Sequence, residues 1–474
     1  MVSWPEIINL AKNGKRVVAD SRKVKKGDIF VAIPGVRIDG SVFVLEALEK
    51  GASYIVSKNK KVLKRVGSKG IYHPNPSLAL GELAKAYYFP RGQKLKLIGI
   101  TGTNGKTTVC FFLEHLLKKA GFKVGIIGTV LVRWPGQEQK SFMTTPDCLT
   151  LYQLLAEMEK TGVEIVCMEV SSHALSQARI AGLEFEIGVF TNLTQDHLDY
   201  HKDMQDYFKA KSKLFQQYAK KAVLYGDCKW GKEILTQFSG EKLSYGFHHS
   251  NDFKVLNYKL FPEKIKATFQ LRDKNIALEL PFIGKYNLLN VLAAMGVGEF
   301  LGILKENIYA FESCPPPPGR MELVNNEQGL GVIIDYAHTP DALENVCKSL
   351  KELPINKLVV VFGCGGDRDK IKRPLMAKAV SRWADFAIVT TDNPRFEAPE
   401  EIIKDIIKGF SSEFKYLVEM DRKIAISKGL NMLGKQDILL IAGKGHEDYQ
   451  EICGVKYPFS DKEVVFKILE ENNN

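Results

Sequence analysis

Read for its apolar and polar positions, the chain changes character twice. Up to about residue 90 it carries short strand-like runs, Ile29–Ile33 and Ala52–Val56, separated by turns and helical stretches. The helical pattern entering "YYFPRGQK" is interrupted by Pro90 and Gly92. From Leu95, strands and helices alternate. "LIGITGTNGKTTVCFFLEHLLKKAGFKVGIIGT" (Leu97–Thr129) reads as an apolar strand, a glycine loop, a helix and a second apolar strand. "VEIVCMEV" and "IGVFTNL" carry continuous apolar runs, as parallel strands buried on both faces require. At "ESCPPPPGR", Pro315–Pro318 form a stiff extended connector. Alternation then resumes with "LGVIIDYA", "KLVVVFGCGG", "DFAIVTTD" and "DILLIAGKG". The pattern predicts three α/β domains, at 1–92, 93–314 and 315–474.

Composition adds limits rather than detail. With 45% hydrophobic and 26% charged residues over 474 positions, the chain is ordinary for soluble globular domains, with room for several cores. "MVSWPEIINLAKNGK" lacks an uninterrupted apolar core and a small-residue cleavage site, so no signal peptide is expected. No apolar run approaches the ~18 residues of a membrane span, so no membrane insertion is expected. The eight cysteines stand singly with no C-x-x-C pair, which points to a reducing cytoplasm and away from a disulfide or zinc framework. A net charge of +11 admits nucleic acid and polyphosphate substrates alike. The lysines are spread along the chain, and neither an arginine-rich arm nor an RNA-binding signature is present, so nucleic acid is not expected as a partner.

The glycine loop is the first candidate for chemistry. Its spacing departs from G-x-x-x-x-G-K-[ST], because Ile100 stands where the first glycine belongs. Gly102, Thr103, Asn104, Gly105, Lys106, Thr107 and Thr108 still supply what phosphate needs. Glycines let backbone N–H groups face an anion, the next helix presents its positive end, and Lys106 neutralises charge. The Thr107 hydroxyl suits magnesium. A tight strand–helix turn with a surface lysine would read the same way. Glu169 ends one apolar strand, where open α/β sheets place ligand-facing residues. After the next strand, "TNLTQDHLDYH" crowds Asp196, His197, Asp199 and His201 into one loop. A carboxylate and an imidazole from these two strand ends would hold a second magnesium; a solvated polar loop is the alternative. In "DMQDYFKAKSKLF", Tyr207, Lys211 and Phe215 share a helical face, where a lysine ordinarily snorkels to solvent.

Further segments occur in order with these: "TTPD", "MEVSSHAL", "GKYNLLNVLAA", "PGRME", "DYAHTPDAL", "GCGGDRDKIKRPLM", "TTDNPR" and "AGKGHE". Together they resemble the Mur ligase family, ATP-dependent amide-forming enzymes that build the peptidoglycan stem peptide, and within it the diaminopimelate-adding type. The family's own loop is G-T-x-G-K-T-[ST], shortened as here. The resemblance spans Ser21 to Glu447. It implies a small α/β first domain that binds a UDP-sugar, a central phosphate-loop ATPase domain with a mainly parallel sheet, and a Rossmann-like third domain that binds the amino acid. ATP would sit on Gly102 to Thr108 with Asn287, Asn290, Arg320, Asp335 and His338 around the nucleotide. Mg2+ would be held by Thr107, Glu169, His197 and Lys211, the lysine carrying a CO2-derived carbamate. Lys106, Lys211, His197 and Glu169 are thus the implied catalytic set.

The same resemblance assigns Ala19, Ser21, Val36, Arg37 and Ile38 to UDP, and Thr144, Thr145, Ser171, Gln177 and Arg179 to the muramoyl-dipeptide arm. Arg368, Asp392, Asn393, Pro394, Arg395, Gly443 and Glu447 would contact meso-diaminopimelate. The implied reaction activates the D-glutamate γ-carboxylate of UDP-N-acetylmuramoyl-L-alanyl-D-glutamate as an acyl phosphate, and the enzyme is expected to be a cytoplasmic monomer. Three residues depart from the family pattern: Met143 where asparagine is common, Ser41 where histidine is frequent, and Tyr225 in place of an asparagine. Alternatives are the same ligase using L-lysine, a folylpolyglutamate synthase, against which "DSR" and "DNPR" speak, and a basic ATP-binding nucleic-acid protein.

Overall fold

The computed structural model describes residues 2–35, 38–198 and 200–471. Val36, Arg37 and Asp199, named above, lie outside them.

Four short parallel strands, Val17–Val18, Ile29–Val31, Tyr54–Ser57 and Gly70–Tyr72, form the first sheet in chain order. Helix Pro76–Tyr88 begins where the Asn75 side chain accepts from Leu78 N–H and Pro76 stands at the first turn. It packs on both this sheet and the central domain. A Cβ on Gly81 would lie 2.3 Å from the Ala181 carbonyl oxygen, so glycine is what permits that approach.

The central sheet has eleven strands. Seven are parallel, in the order Phe253–Leu260, Glu241–Gly246, Ala219–Tyr225, Phe185–Phe190, Lys96–Thr101, Ile165–Glu169, Val124–Ile127. Antiparallel strands extend both edges, Ile265–Leu271 and Lys274–Leu280 at one side, Leu131–Trp134 and Gln137–Lys140 at the other. The unbroken apolar runs have a direct cause. Leu97, Met168, Phe185 and Phe190 belong to the core on one face of the sheet; Ile98, Ile100, Cys167, Ile187 and Val189 belong to the core on the other.

The third sheet runs Glu322–Leu323, Gly331–Asp335, Ile438–Ala442, Leu358–Phe362, Phe386–Val389, Tyr416–Val418, all parallel except the first. A hairpin, Tyr449–Ile452 with Val455–Pro458, and helix Asp461–Glu471 close the described chain. Among the described residues no helix is long and apolar enough to cross a membrane. Carboxyl ends of parallel strands from the second and third sheets border one cavity, where open α/β sheets place their ligands.

Candidate active site

Tight packing accounts for both glycines of the shortened loop. A Cβ on Gly102 would fall 1.9 Å from Thr191 Oγ1, and one on Gly105 (φ +87°) 2.5 Å from Asn290 Oδ1. Gly105 caps helix Lys106–Lys119, whose N-terminus faces the cavity. Lys106 Nζ donates to the carbonyls of Gly102 (2.9 Å) and Thr103 (2.8 Å). Lys211 Nζ donates to the same Gly102 carbonyl at 2.7 Å. Lys211 is 1% exposed, with its Nζ over the Tyr207 ring at 4.6 Å, so the snorkelling alternative fails. Burial, with Lys106 adding to it, holds the Lys211 ammonium well below its usual range.

Glu169 accepts three hydrogen bonds, from Thr107 Oγ1 (2.9 Å), Thr129 N–H (2.8 Å) and Thr129 Oγ1 (3.0 Å). Thr129 was not singled out in the sequence, although it follows the strand Val124–Ile127 at the same carboxyl edge. His197 adopts φ +54° and sets Nε2 3.4 Å from Asp196 Oδ2. Burial lowers the His197 imidazolium to about 4, against the pull of Asp196. Burial opposes the charge on Asp196, yet His197 and His338 outweigh it and hold that carboxyl below its usual range. His201 turns elsewhere: it is 2% exposed and its Nε2 lies 2.9 Å from Ser172 Oγ.

Among the described residues no group of three or more His, Cys, Asp or Glu is placed to hold a metal alone. Thr107 and Glu169 nevertheless offer adjacent oxygens on the cavity wall, a donor set that suits Mg2+ completed by phosphate and water. Lys211 as an ammonium has no lone pair to add.

Across the cavity, Arg320 reaches Thr107 Oγ1 through Nη2 (3.4 Å) and lies over the Tyr336 ring at 4.5 Å. Asp335 accepts from the N–H groups of Met321 and Ala337, both at 2.7 Å, and burial raises its carboxyl. Asn290 donates to Asn287, which donates to the Ile283 carbonyl. His338 is pushed down to about 4 by burial and then by Lys372. One contact escaped sequence reading. Asp341 Oδ2, at the start of the third-domain helix Pro340–Lys351, accepts from both Asn104 Nδ2 (3.0 Å) and Thr194 Oγ1 (2.9 Å).

The residues assigned to the dipeptide arm form a linked group. Arg179 donates to the Thr145 carbonyl (2.9 Å) and to Gln177 Oε1, and Ser171 N–H donates to Thr145 Oγ1 (3.0 Å). Thr144 lines the cavity beside Thr129. Ala19, Ser21 and Ile38 do not line it: Ser21 Oγ donates to Glu46 at 2.8 Å, and Ile38 is exposed.

Arg368, Asp392, Asn393, Arg395, Gly443 and Glu447 converge on the third-domain side. Arg395 adopts φ +52°, strained for a non-glycine residue, and is held by the hairpin: its N–H donates to the Glu451 carbonyl and Cys453 N–H donates back. Its Nε pairs with Glu451 (3.1 Å) and its Nη1 donates to the Gly366 carbonyl (2.7 Å). The Pro394 carbonyl is packed so closely that a Cβ on Gly366 would lie 1.9 Å away. Asn393 donates to Glu447 at 2.9 Å. Burial and then Asp392 raise the Glu447 carboxyl. Lys444, missed in the sequence, is 0% exposed and donates to Asn393 Oδ1 (3.2 Å) and Glu447 (3.4 Å). Its signal was a lysine in a glycine loop directly after a buried strand.

The cavity measures about 940 Å³, room for a nucleotide and a second ligand. Comparison with known proteins agrees with this layout. Residues 15–88 match the Mur ligase family, catalytic domain; residues 100–298 the Mur ligase middle domain; and residues 319–445 the Mur ligase, glutamate ligase domain. The UDP-N-acetylmuramoyl-L-alanyl-D-glutamate--2,6-diaminopimelate ligase of Lawsonia intracellularis is 43% identical over 470 residues, 97% of each chain. The enzyme of the same name from Aquifex aeolicus is 43% identical over 469 residues, 99% of this chain and 96% of that one. A solved structure of an enzyme of that name superposes with a TM-score of 0.71 at 32% identity, covering 97% of this chain and 95% of the other. Matched in order along nearly its whole length, the chain belongs to the Mur ligase family.

Proposed function

We propose that this protein is an ATP-dependent ligase that joins meso-2,6-diaminopimelate to the D-glutamate of UDP-N-acetylmuramoyl-L-alanyl-D-glutamate, in peptidoglycan assembly. One observation carries the reading: the phosphate loop and Asp392, Asn393 and Arg395, from different domains, open onto the same cavity. Residues 1–92 take the UDP end through Ala19, Ser21 and Ile38, residues 93–314 take ATP, and residues 315–474 take the amino acid. Thr144, Thr145, Ser171, Gln177 and Arg179 hold the dipeptide arm between them.

The γ-carboxylate of D-glutamate attacks the γ-phosphorus of ATP; ADP leaves and an acyl phosphate forms. The free amine of diaminopimelate attacks the acyl carbon, and phosphate departs with the amide made. Phosphoryl transfer asks the protein chiefly for positioning and charge. Lys106, the N-terminus of its helix and Arg320 offset phosphate charge, while Asn287, Asn290, Asp335 and His338 border the nucleotide. Thr107, Glu169 and His197 would hold Mg2+, which when bound would neutralise phosphate oxygens. Lys211 is the carbamate site. Its burial favours the neutral amine, which would add CO2 at nitrogen with loss of one proton to solvent, giving an oxygen-bearing anion suited to a metal. Contact between the two domains excludes water from the acyl phosphate. The enzyme works as a cytoplasmic monomer, where ATP and nucleotide sugars are made.

The test is ADP release with the muramoyl dipeptide and a panel of amino acids. Turnover requiring both dipeptide and meso-diaminopimelate is expected. Equal use of L-lysine would replace the amino-acid assignment, and turnover driven by DNA or RNA without the dipeptide would overturn the ligase.

A further inference from the structure

Beneath the amino-acid loops lies a charged pair that belongs to none of the motifs. Arg422 opens helix Arg422–Asn431 and Asp461 opens the last helix, and both side chains are 0% exposed. Arg422 meets the carboxylate with two prongs, Nε at 2.7 Å and Nη2 at 2.8 Å. The same guanidinium donates to the Ala442 carbonyl (Nη2, 3.0 Å) and toward the Thr391 carbonyl (Nη1, 3.4 Å). Ala442 immediately precedes Gly443, and Thr391 immediately precedes Asp392. Those carbonyls follow or end two strands that flank Leu358–Phe362, so one side chain spans both. Asp392 and Glu447 lie near enough for their charges to act on Arg422. Thr391 is braced again, donating to the Met420 carbonyl and accepting from Gln450 Nε2.

A buried ion pair adds little net stability over an apolar pair of similar volume. The guanidinium's remaining N–H groups need acceptors, and those it has are the two carbonyls that lead into the amino-acid loops. We infer that Arg422, oriented by Asp461, is a positioning residue of the amino-acid subsite: it sets the spacing between the Asp392–Asn393 loop and the Gly443–Glu447 loop. The inference rests on reading those loops as the diaminopimelate site. It makes the last helix, through Asp461, part of substrate recognition without touching substrate.

The test uses the full chain with ATP and the muramoyl dipeptide, measuring KM for diaminopimelate, KM for ATP, kcat and Tm. The double variant Arg422→Met/Asp461→Val removes both charges together and comes close to the original volume. Loop displacement of about 1 Å is expected to raise the diaminopimelate KM on the order of 10-fold or more, leaving the ATP KM within about 3-fold. Arg422→Lys keeps the charge but lacks the planar fork that reaches carboxylate and both carbonyls. It should show the same selective rise, and it decides the matter if the double variant does not fold. A purely structural pair would lower Tm and the active fraction, hence kcat, with both KM values unmoved; that result overturns the inference. If the wild-type protein fails to ligate diaminopimelate at all, the functional reading falls instead.

Discussion

Replacing Lys106 with alanine tests the phosphate site most directly. Its amine lies 2.9 and 2.8 Å from two loop carbonyls, and among the described residues no carboxylate forms an ion pair with it. A phosphate charge about 4 Å from that amine, at an effective dielectric near 20, interacts with it by about 4 kcal/mol. At about 1.4 kcal/mol per decade, truncation should lower turnover roughly 10³-fold. Folding should suffer far less. The Gly102 carbonyl keeps its bond from Lys211, so only the Thr103 contact goes unreplaced, at about 1 kcal/mol. The assay is ADP release at saturating ATP, dipeptide and amino acid, with a thermal melt of the same sample. A folded variant within about tenfold of wild type would refute the loop as a phosphate site, because no other placement of ATP would leave so close a cation idle.

Lys211→Ala should lose nearly all activity, and a small carboxylic acid added to the assay should restore part of it; normal activity of the variant would remove the carbamate. Arg395→Ala should raise the diaminopimelate KM strongly and narrow its preference over L-lysine, since a site built on a guanidinium–carboxylate pair rejects the analogue lacking it by about 10⁴–10⁵-fold. An unchanged preference ratio would move recognition of the distal carboxylate to another cation, such as Arg368. Acid should destabilise the fold through His338. Unfolded, it takes a proton near 6.5; folded, only near 4, so the unfolded chain binds more protons between those values and stability is lost as pH falls through them. Melting temperatures from pH 7 to 4 check this, and His338→Gln should flatten the decline.

What could be read beforehand follows from how each feature is written into the chain. The inner parallel strands are legible because both faces are buried and their central positions are apolar. The strand Gln137–Lys140 is not, because all four of its residues are exposed and none is apolar. Lys211 illustrates the limit of local pattern. Helical spacing put it beside Tyr207, but only tertiary packing takes its amine out of water. Family motifs named Ser21 and Ile38, yet their distance from the main cavity depends on how the first domain sits, which no motif encodes. Nothing local marks Lys444 or Asp341, because Asn393 comes to the one from another strand's loop and Asn104 and Thr194 come to the other from another domain. Arg422 and Asp461 lie 39 positions apart with no shared motif, and their pairing exists only in three dimensions.

The shared carboxylate at Asp341 has a consequence in time. One oxygen of the third domain accepts from the phosphate loop through Asn104 and from the His197 loop through Thr194. Swinging that domain away breaks both bonds together, and bonds to a charged group contribute about 1.5 kcal/mol each or more. A barrier raised by about 3 kcal/mol slows such a swing roughly a hundredfold. Release of the finished product and ADP would have to break this latch together with the other contacts between the domains, such as Arg320 with Thr107.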